Sequence, residues 1–480
     1  MMQFLNKYRF LLLTFLASFA IFYPSLFVFF TNDDFFFLNI GRAGNIREFL
    51  NFFSLAGGPE GFGMYRPLTT QAFYFMSWKF LNLSPFPLHI ISFMFFFAIV
   101  YLVYRLSAEI TKNEKVGLIS AFLYAVSATH FGQLYYLAAF QELGMTLFVL
   151  LSCLTFVKGK NVLSFIFFVL AIMSKETAVV TPLLFVLIYF FRKYNGEKVI
   201  NFKKLLIFIF PFTVCLFAYL LVRFQWYGFA SGDSYIWDFS IKKFVNTSAW
   251  YLLWSLNIPE SLVDFVGPGL KINSNLFVFW GKQINPILIS FLIEGLLLLA
   301  MLIKLLFNRL KEKINKSDPI LIFCIGWFFI SLLPVIFLPL HKFSFYLTLP
   351  LIGVVLRIAY VLVNSKINRF IVGAFLIAWT TTSVLTLKFT YDTNWITQSE
   401  LISQRVFVHF KSDQSKYEGK TISFIDTNDD SNIFWSPTST VRTVLSDKNF
   451  FYVFFPNLAD KIDYNGQGKI QIKSRRFLGY

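Results

Sequence analysis

Long apolar runs alternate with short polar connections along most of this chain. The first run, Phe10 to Phe30, holds about twenty apolar residues, the length an α-helix needs to cross a hydrocarbon core. Similar runs near 88–108, 116–134, 141–157, 161–174, 177–191, 205–223, 285–307, 319–339, 344–363 and 369–388 predict about eleven spans in all. Two short ones meet at Lys175, where an apolar stretch divides. The first run is too long for a signal-peptide core and lacks a small-residue cleavage site, so it is expected to remain as an anchor.

The connections sort by charge. Lys7 and Arg9, then Arg105, Lys112 and Lys115, Lys158 and Lys160, and the basic group from Arg192 to Lys204 fall on one side of the predicted membrane. The group Lys304, Arg309, Lys311, Lys313 and Lys316, and then Lys366 with Arg369, continue the series. That bias predicts a cytoplasmic N-terminus, an extracytoplasmic C-terminus and an odd number of spans. Within a membrane domain at 1–388, it leaves two large outer loops, 31–87 and 224–284. The remaining 389–480 read as a small extracytoplasmic domain, α/β or β-rich. There GKTISFIDTNDDSNIFW and KNFFYVFFPNL read as short strands between Asn/Asp/Ser turns.

Composition agrees with the pattern. Of the 480 residues 56% are hydrophobic and only 14% charged, against about 25% charged in soluble proteins. The net charge of +17 does not indicate nucleic acid, because the cations sit in the short loops, where they face lipid head groups. Cys153, Cys215 and Cys324 lie inside apolar runs and form neither a disulfide framework nor a zinc spacing.

The unusual polar residues gather on the outer side. Asp33, Asp34, Arg42, Tyr65, Arg66, His130, Gln141, Glu142, Lys175, Glu176, His341, Lys342 and Tyr346 come from the outer ends of at least five spans. Charges near membrane depth are costly and usually functional, so their convergence predicts a site. In TNDDFFFLNIGR, one reading has Asp33 and Asp34 capping the helix that follows; the other makes one carboxylate a general base or metal ligand. TNDD recurs at Thr427–Asp430 and reads there as a turn. In GGPEGFGMYRPLT, Arg66 precedes Pro67 and is held extended, either as an interfacial anchor with Tyr65 or as a guanidinium fork for phosphate. Lys175 and Glu176 form a local ion pair or present the lysine to a phosphate, and Lys342 gains meaning only beside Arg66 and Lys175. No Walker loop or Gly-rich βαβ turn is present, so an activated substrate carried by the membrane is the expected energy source.

These residues resemble a known group. The acidic pair after the first span, YRPL, ATHFGQLYYLAAFQEL, SKETAVVTP and HKFSFYLTLP look like the GT-C superfamily of membrane glycosyltransferases, over about residues 10–365. The protein O-mannosyltransferases, the tetratricopeptide-linked mannosyltransferases and the aminoarabinose transferases are the most similar. The resemblance implies a multispan α-helical fold in a bacterial or archaeal plasma membrane. It implies a polyprenyl-phosphate-linked sugar as donor, a lipid, glycan or protein as acceptor, and inversion at the sugar. Its first-loop carboxylate, which deprotonates the acceptor, falls on Asp33 or Asp34, with Asp33 favoured. Residues 141–142 and 341–342 depart from the family pattern, and tetratricopeptide repeats are lacking. Whether a divalent cation joins Asp33 and Asp34 is undecided by the residues. A transporter or flippase of lipid-linked saccharide, a surface-polysaccharide ligase and a structural membrane protein are the competing expectations.

Overall fold

The computed structural model describes residues 2–55, 63–228, 232, 234–267, 271–311, 318–427, 430 and 435–479. The glycine-rich part of the 31–87 loop, Lys313, Lys316, Asn428 and Asp429 lie outside the described residues. The protein is predominantly helical. Among the described residues seven helices are long and apolar enough to cross a membrane: Tyr8–Phe27, Pro85–Thr111, Leu137–Val157, Glu176–Tyr194, Phe202–Trp226, Asn275–Lys311 and Arg369–Thr393. Three shorter apolar helices, Asn161–Ser174, Pro319–Leu332 and Leu351–Asn364, join them. On Asn275–Lys311, Leu292, Leu296, Leu299, Ile303 and Leu306 are all more than half exposed. A continuous apolar face of that kind is unfavourable in water and at home in lipid.

Local chemistry sets the helix boundaries. Pro85–Thr111 ends at Lys112 in the left-handed region (φ 52°). The next residue, Asn113, caps the Glu114–Ala125 helix by accepting from the Lys115 and Val116 N–H groups. The Phe140–Val157 and Asn161–Ser174 helices pack through Ser152 and Ser164, whose hydroxyls bond to each other's backbone carbonyls at 2.7 and 2.9 Å. Small polar residues let helices approach closely in an apolar medium. At Lys175 the backbone turns extended (φ −162°, ψ 140°), and the chain resumes as the Glu176–Val180 turn and the Thr181–Tyr194 helix. Leu137–Val157 lies at the centre, with 83% of it buried. Its first turn therefore reaches the middle of one end of the bundle.

Beyond Thr393 the chain forms the Trp395–Ser412 helix and a parallel sheet. Ile422–Ile425 is the central strand, flanked by Ile462–Asp463 and Ile470–Lys473. KNFFYVFFPNL is not a strand: Asn449–Phe454 and Pro456–Ala459 are helical. Its aromatic residues are buried on two sides, which explains why no alternation marks it. Phe450 meets Phe35 at 5.1 Å, and Phe451 meets Phe410 at 5.1 Å.

That C-terminal unit docks on the TNDDFFF stretch. The Asn32 N–H donates to the Val444 carbonyl (2.8 Å), and Asn39 Nδ2 donates to Asn449 Oδ1 (2.9 Å). Ser403 Oγ donates to the Phe30 carbonyl (2.6 Å), and the Phe29 N–H donates to Glu400 Oε1 (3.0 Å). The segment carrying the two aspartates is thus held from both sides.

Candidate active site at one end of the bundle

Asp33 and Asp34 open the Asp33–Ile40 helix and play different parts. The N-cap position belongs to Asn32, which sits at φ 49° and makes no side-chain cap. Asp34 turns back instead. Its Oδ2 accepts from the Thr31 N–H (2.9 Å), its Oδ1 from the Tyr74 hydroxyl (2.5 Å), and its own N–H donates to the Thr31 carbonyl (3.0 Å). The second TNDD repeats the pattern: Asp430 Oδ2 accepts from the Thr427 N–H (2.7 Å), and the Asp430 N–H donates to the Thr427 carbonyl (2.9 Å). The fourth residue of the motif is therefore its structural residue. Asp34 is 1% exposed, and burial pushes its carboxyl up to about 7 against the hydrogen bonds from Tyr74, Thr31 and Ala138 that hold it down.

Asp33 is the accessible one. Its N–H donates to the Tyr136 hydroxyl (3.2 Å), while its side chain stays exposed. The protein atoms crowded around it raise its carboxyl above the ordinary range, and Tyr136 and Arg66 pull it back. A carboxylate that solvent reaches and protein desolvates is recessed. Asp34, its neighbour in sequence, is turned inward. Among the described residues no group of three or more His, Cys, Asp or Glu side chains is arranged to hold a metal ion.

Arg66 anchors the next part. Its Nε donates to Glu176 Oε2 (2.6 Å), Nη2 completes the fork on Glu176 Oε1, and Nη1 donates to Gln141 Oε1. Its loop is stitched to the end of the Asn161–Ser174 helix: the Leu68 N–H donates to the Met173 carbonyl (3.3 Å) and Thr69 Oγ1 to the Ser174 carbonyl (2.5 Å). Gly144 makes room for this seam, since a Cβ there would lie 2.5 Å from Thr69 Cγ2. Lys175 pairs with Glu142 and places its Nζ 4.6 Å from the centre of the Tyr346 ring. All of Arg66, Gln141, Glu142 and Lys175 are under 9% exposed.

His341 stacks on Tyr235 at 4.1 Å and lies near Tyr346. Burial, then the charges of Lys175 and Arg66, push its pKa down to about 4, so the ring is neutral at pH 7. Its buried Nδ1 has no hydrogen-bond partner among the described residues. Burial raises the Tyr235 hydroxyl above its ordinary range, and Arg66, Glu176, Asp33 and Arg223 all act on it.

Four of the sequence-predicted residues do other work. His130 is fully buried between Tyr124 (4.4 Å) and Phe96 (4.8 Å), with Nε2 on the Tyr124 carbonyl (2.8 Å), as a packed aromatic ring. Tyr65 donates to the Phe53 carbonyl (3.0 Å) and shapes its loop. Arg42 lies over Trp78 and reaches the Tyr452 carbonyl. Lys342 faces Lys243 and Asp264 rather than Arg66 or Lys175.

Tyr74, Tyr136, Tyr235 and Arg223 were missed by sequence reasoning. Arg223 ends an apolar run, the same signal that marked Lys175. It acts on Glu176, and its buried Nη1 has no hydrogen-bond partner among the described residues. Among the described residues, Glu176 thus lies in the field of Arg66, Arg223 and Lys175, and Glu142 in that of Lys175 and Arg66. The arrangement offers a recessed base beside a cationic, aromatic-walled surface.

The chain matches no protein-family model, no curated protein and no solved structure.

Proposed function

We propose that the chain is a GT-C-type membrane glycosyltransferase with about eleven membrane segments, an extracytoplasmic site and a cytoplasmic N-terminus. It moves a sugar from a polyprenyl-phosphate donor to a lipid, glycan or protein acceptor. The observation that carries this reading is the division of labour in TNDD: Asp34 is spent on structure, while Asp33 is open, desolvated and in the field of Arg66.

Asp33 takes the proton of the acceptor hydroxyl as that oxygen bonds to the anomeric carbon. The bond from that carbon to the phosphate oxygen breaks, and the phosphate leaves with the electron pair. The departing phosphate is a weak base and needs no acid. Arg223, whose Nη1 has no hydrogen-bond partner among the described residues, meets the charge that develops there. Arg66 and Lys175 are held by Glu176 and Glu142 and set the geometry around it. Attack opposite the leaving group inverts the sugar.

The test is sugar release from a radiolabelled polyprenyl-phosphate sugar by purified variants. Asp33→Asn is expected to lower kcat by about 10²–10⁴-fold, the usual contribution of a general base. Asp34→Asn should keep most of the activity and lose stability. Full activity in Asp33→Asn sinks the assignment. Lipid movement between leaflets without sugar release would replace it with transport.

A further inference from the structure

A cavity of about 870 Å³ lies at the opposite end of the bundle from Asp33. The Phe140–Val157 helix separates the two, with Glu142 in its first turn and Val157 at its last residue. Its 18 residues span about 27 Å at 1.5 Å each. The cavity is formed where the Phe140–Val157, Asn161–Ser174, Thr181–Tyr194 and Phe202–Val222 helices meet at their loop ends.

Its two parts differ in chemistry. Lys158, Lys198, Lys204 and Arg192 line the rim, and no acidic residue among the described ones lines it. Arg192 is engaged by Glu197 (2.8 Å) and the Val157 carbonyl (3.2 Å). The three lysines have no ion-pair partner among the described residues, and Glu197 is already shared between Arg192 and Lys112 (3.6 Å). The floor is apolar, built from Phe165, Phe208 and Phe212 around Pro211. At the lip Val162 is 74% and Ile207 64% exposed, so the groove opens sideways onto the face that meets lipid.

We propose that this groove binds an anionic phospholipid, with its phosphate against Lys158, Lys198 and Lys204 and one acyl chain along the phenylalanine floor. Charge complementarity selects the head group. Three uncompensated lysines beside an apolar channel match a phosphate attached to a hydrocarbon chain, and basic clefts between membrane helices are suited to such head groups. A small soluble anion would use the rim and leave the floor empty. The site is independent of the chemistry at Asp33.

The experiment is native mass spectrometry of the full-length protein from detergent containing equimolar phosphatidylglycerol and phosphatidylcholine. The wild type is expected to retain one phosphatidylglycerol in at least tenfold preference. Lys158→Gln with Lys204→Gln should abolish the preference. Val162→Trp, which fills the groove without touching its charges, should reduce retention several-fold. Each variant is first checked for unchanged melting temperature; the single Lys158→Gln or Val162→Trp chain decides where the double variant does not fold. Equal retention of both lipids by the wild type overturns the proposal. So does a preference that survives the substitutions, or displacement of the lipid by millimolar inorganic phosphate.

Discussion

Asp33 and Asp34 are neighbours in sequence with opposite electrostatic consequences. On the proposed mechanism Asp33 works when deprotonated, and its carboxyl is raised by its surroundings. The acid limb of the kcat/KM profile is therefore expected above the ordinary aspartate value, with activity falling as the pH drops through it. A profile flat down to pH 4 would count against Asp33. Asp34, pushed up to about 7 from 3.8, favours the protonated fold. Its contribution to stability is full below about pH 4 and is lost as the pH rises through about 7. Asp34→Asn should flatten that part of the melting-temperature profile, measured from pH 4 to 9. Glu142→Met alone leaves Lys175 buried without its counter-charge and should cost about 3–5 kcal/mol. Adding Lys175→Met should restore most of that in thermal unfolding. The charged members of the site were legible because charge stands out in apolar runs. Tyr74, Tyr136 and Tyr235 were not: in a chain with 22 tyrosines, a functional one carries no local mark.

At the scale of elements, the division at Lys175 was legible from charge alone, and the backbone breaks there. KNFFYVFFPNL shows the limit of pattern. Aromatic residues buried on both sides give no alternation, and length does not separate a two-turn helix from a strand. His341 and Lys342 are adjacent yet diverge, because the turn aims the imidazole at Tyr235 and the ammonium at Asp264. Nothing in their order encodes that. The seam at Gly144 is equally invisible in sequence and sharply testable. Gly144→Ala should cost about 1–3 kcal/mol by overpacking against Thr69. Thr69→Ser, which drops the methyl and keeps the hydroxyl bond to Ser174, should rescue it in the same melting assay.

Across the whole molecule, the helical membrane character was legible from run length, and seven long apolar helices carry it. The docking of the C-terminal unit onto the first loop was not. It depends on contacts between residues some 410 apart, which no local pattern reports. Phe450 is the clearest probe, fully buried against Phe35 beside the aspartate helix. Phe450→Ala should cost about 3–5 kcal/mol. On the proposed mechanism it should also lower kcat more than it raises KM, because it loosens the base and leaves the donor surface intact.

The bonds from Asn32 to Val444 and from Asn39 to Asn449 also have a consequence in time. At about 5–20 residues per second, a ribosome needs roughly 20–80 s to add the 410 residues between Asn39 and Asn449. Throughout that interval the first loop is already made and its clamp is not. A nascent chain therefore carries Asp33 without the support that sets its position, and the site matures only near the end of synthesis.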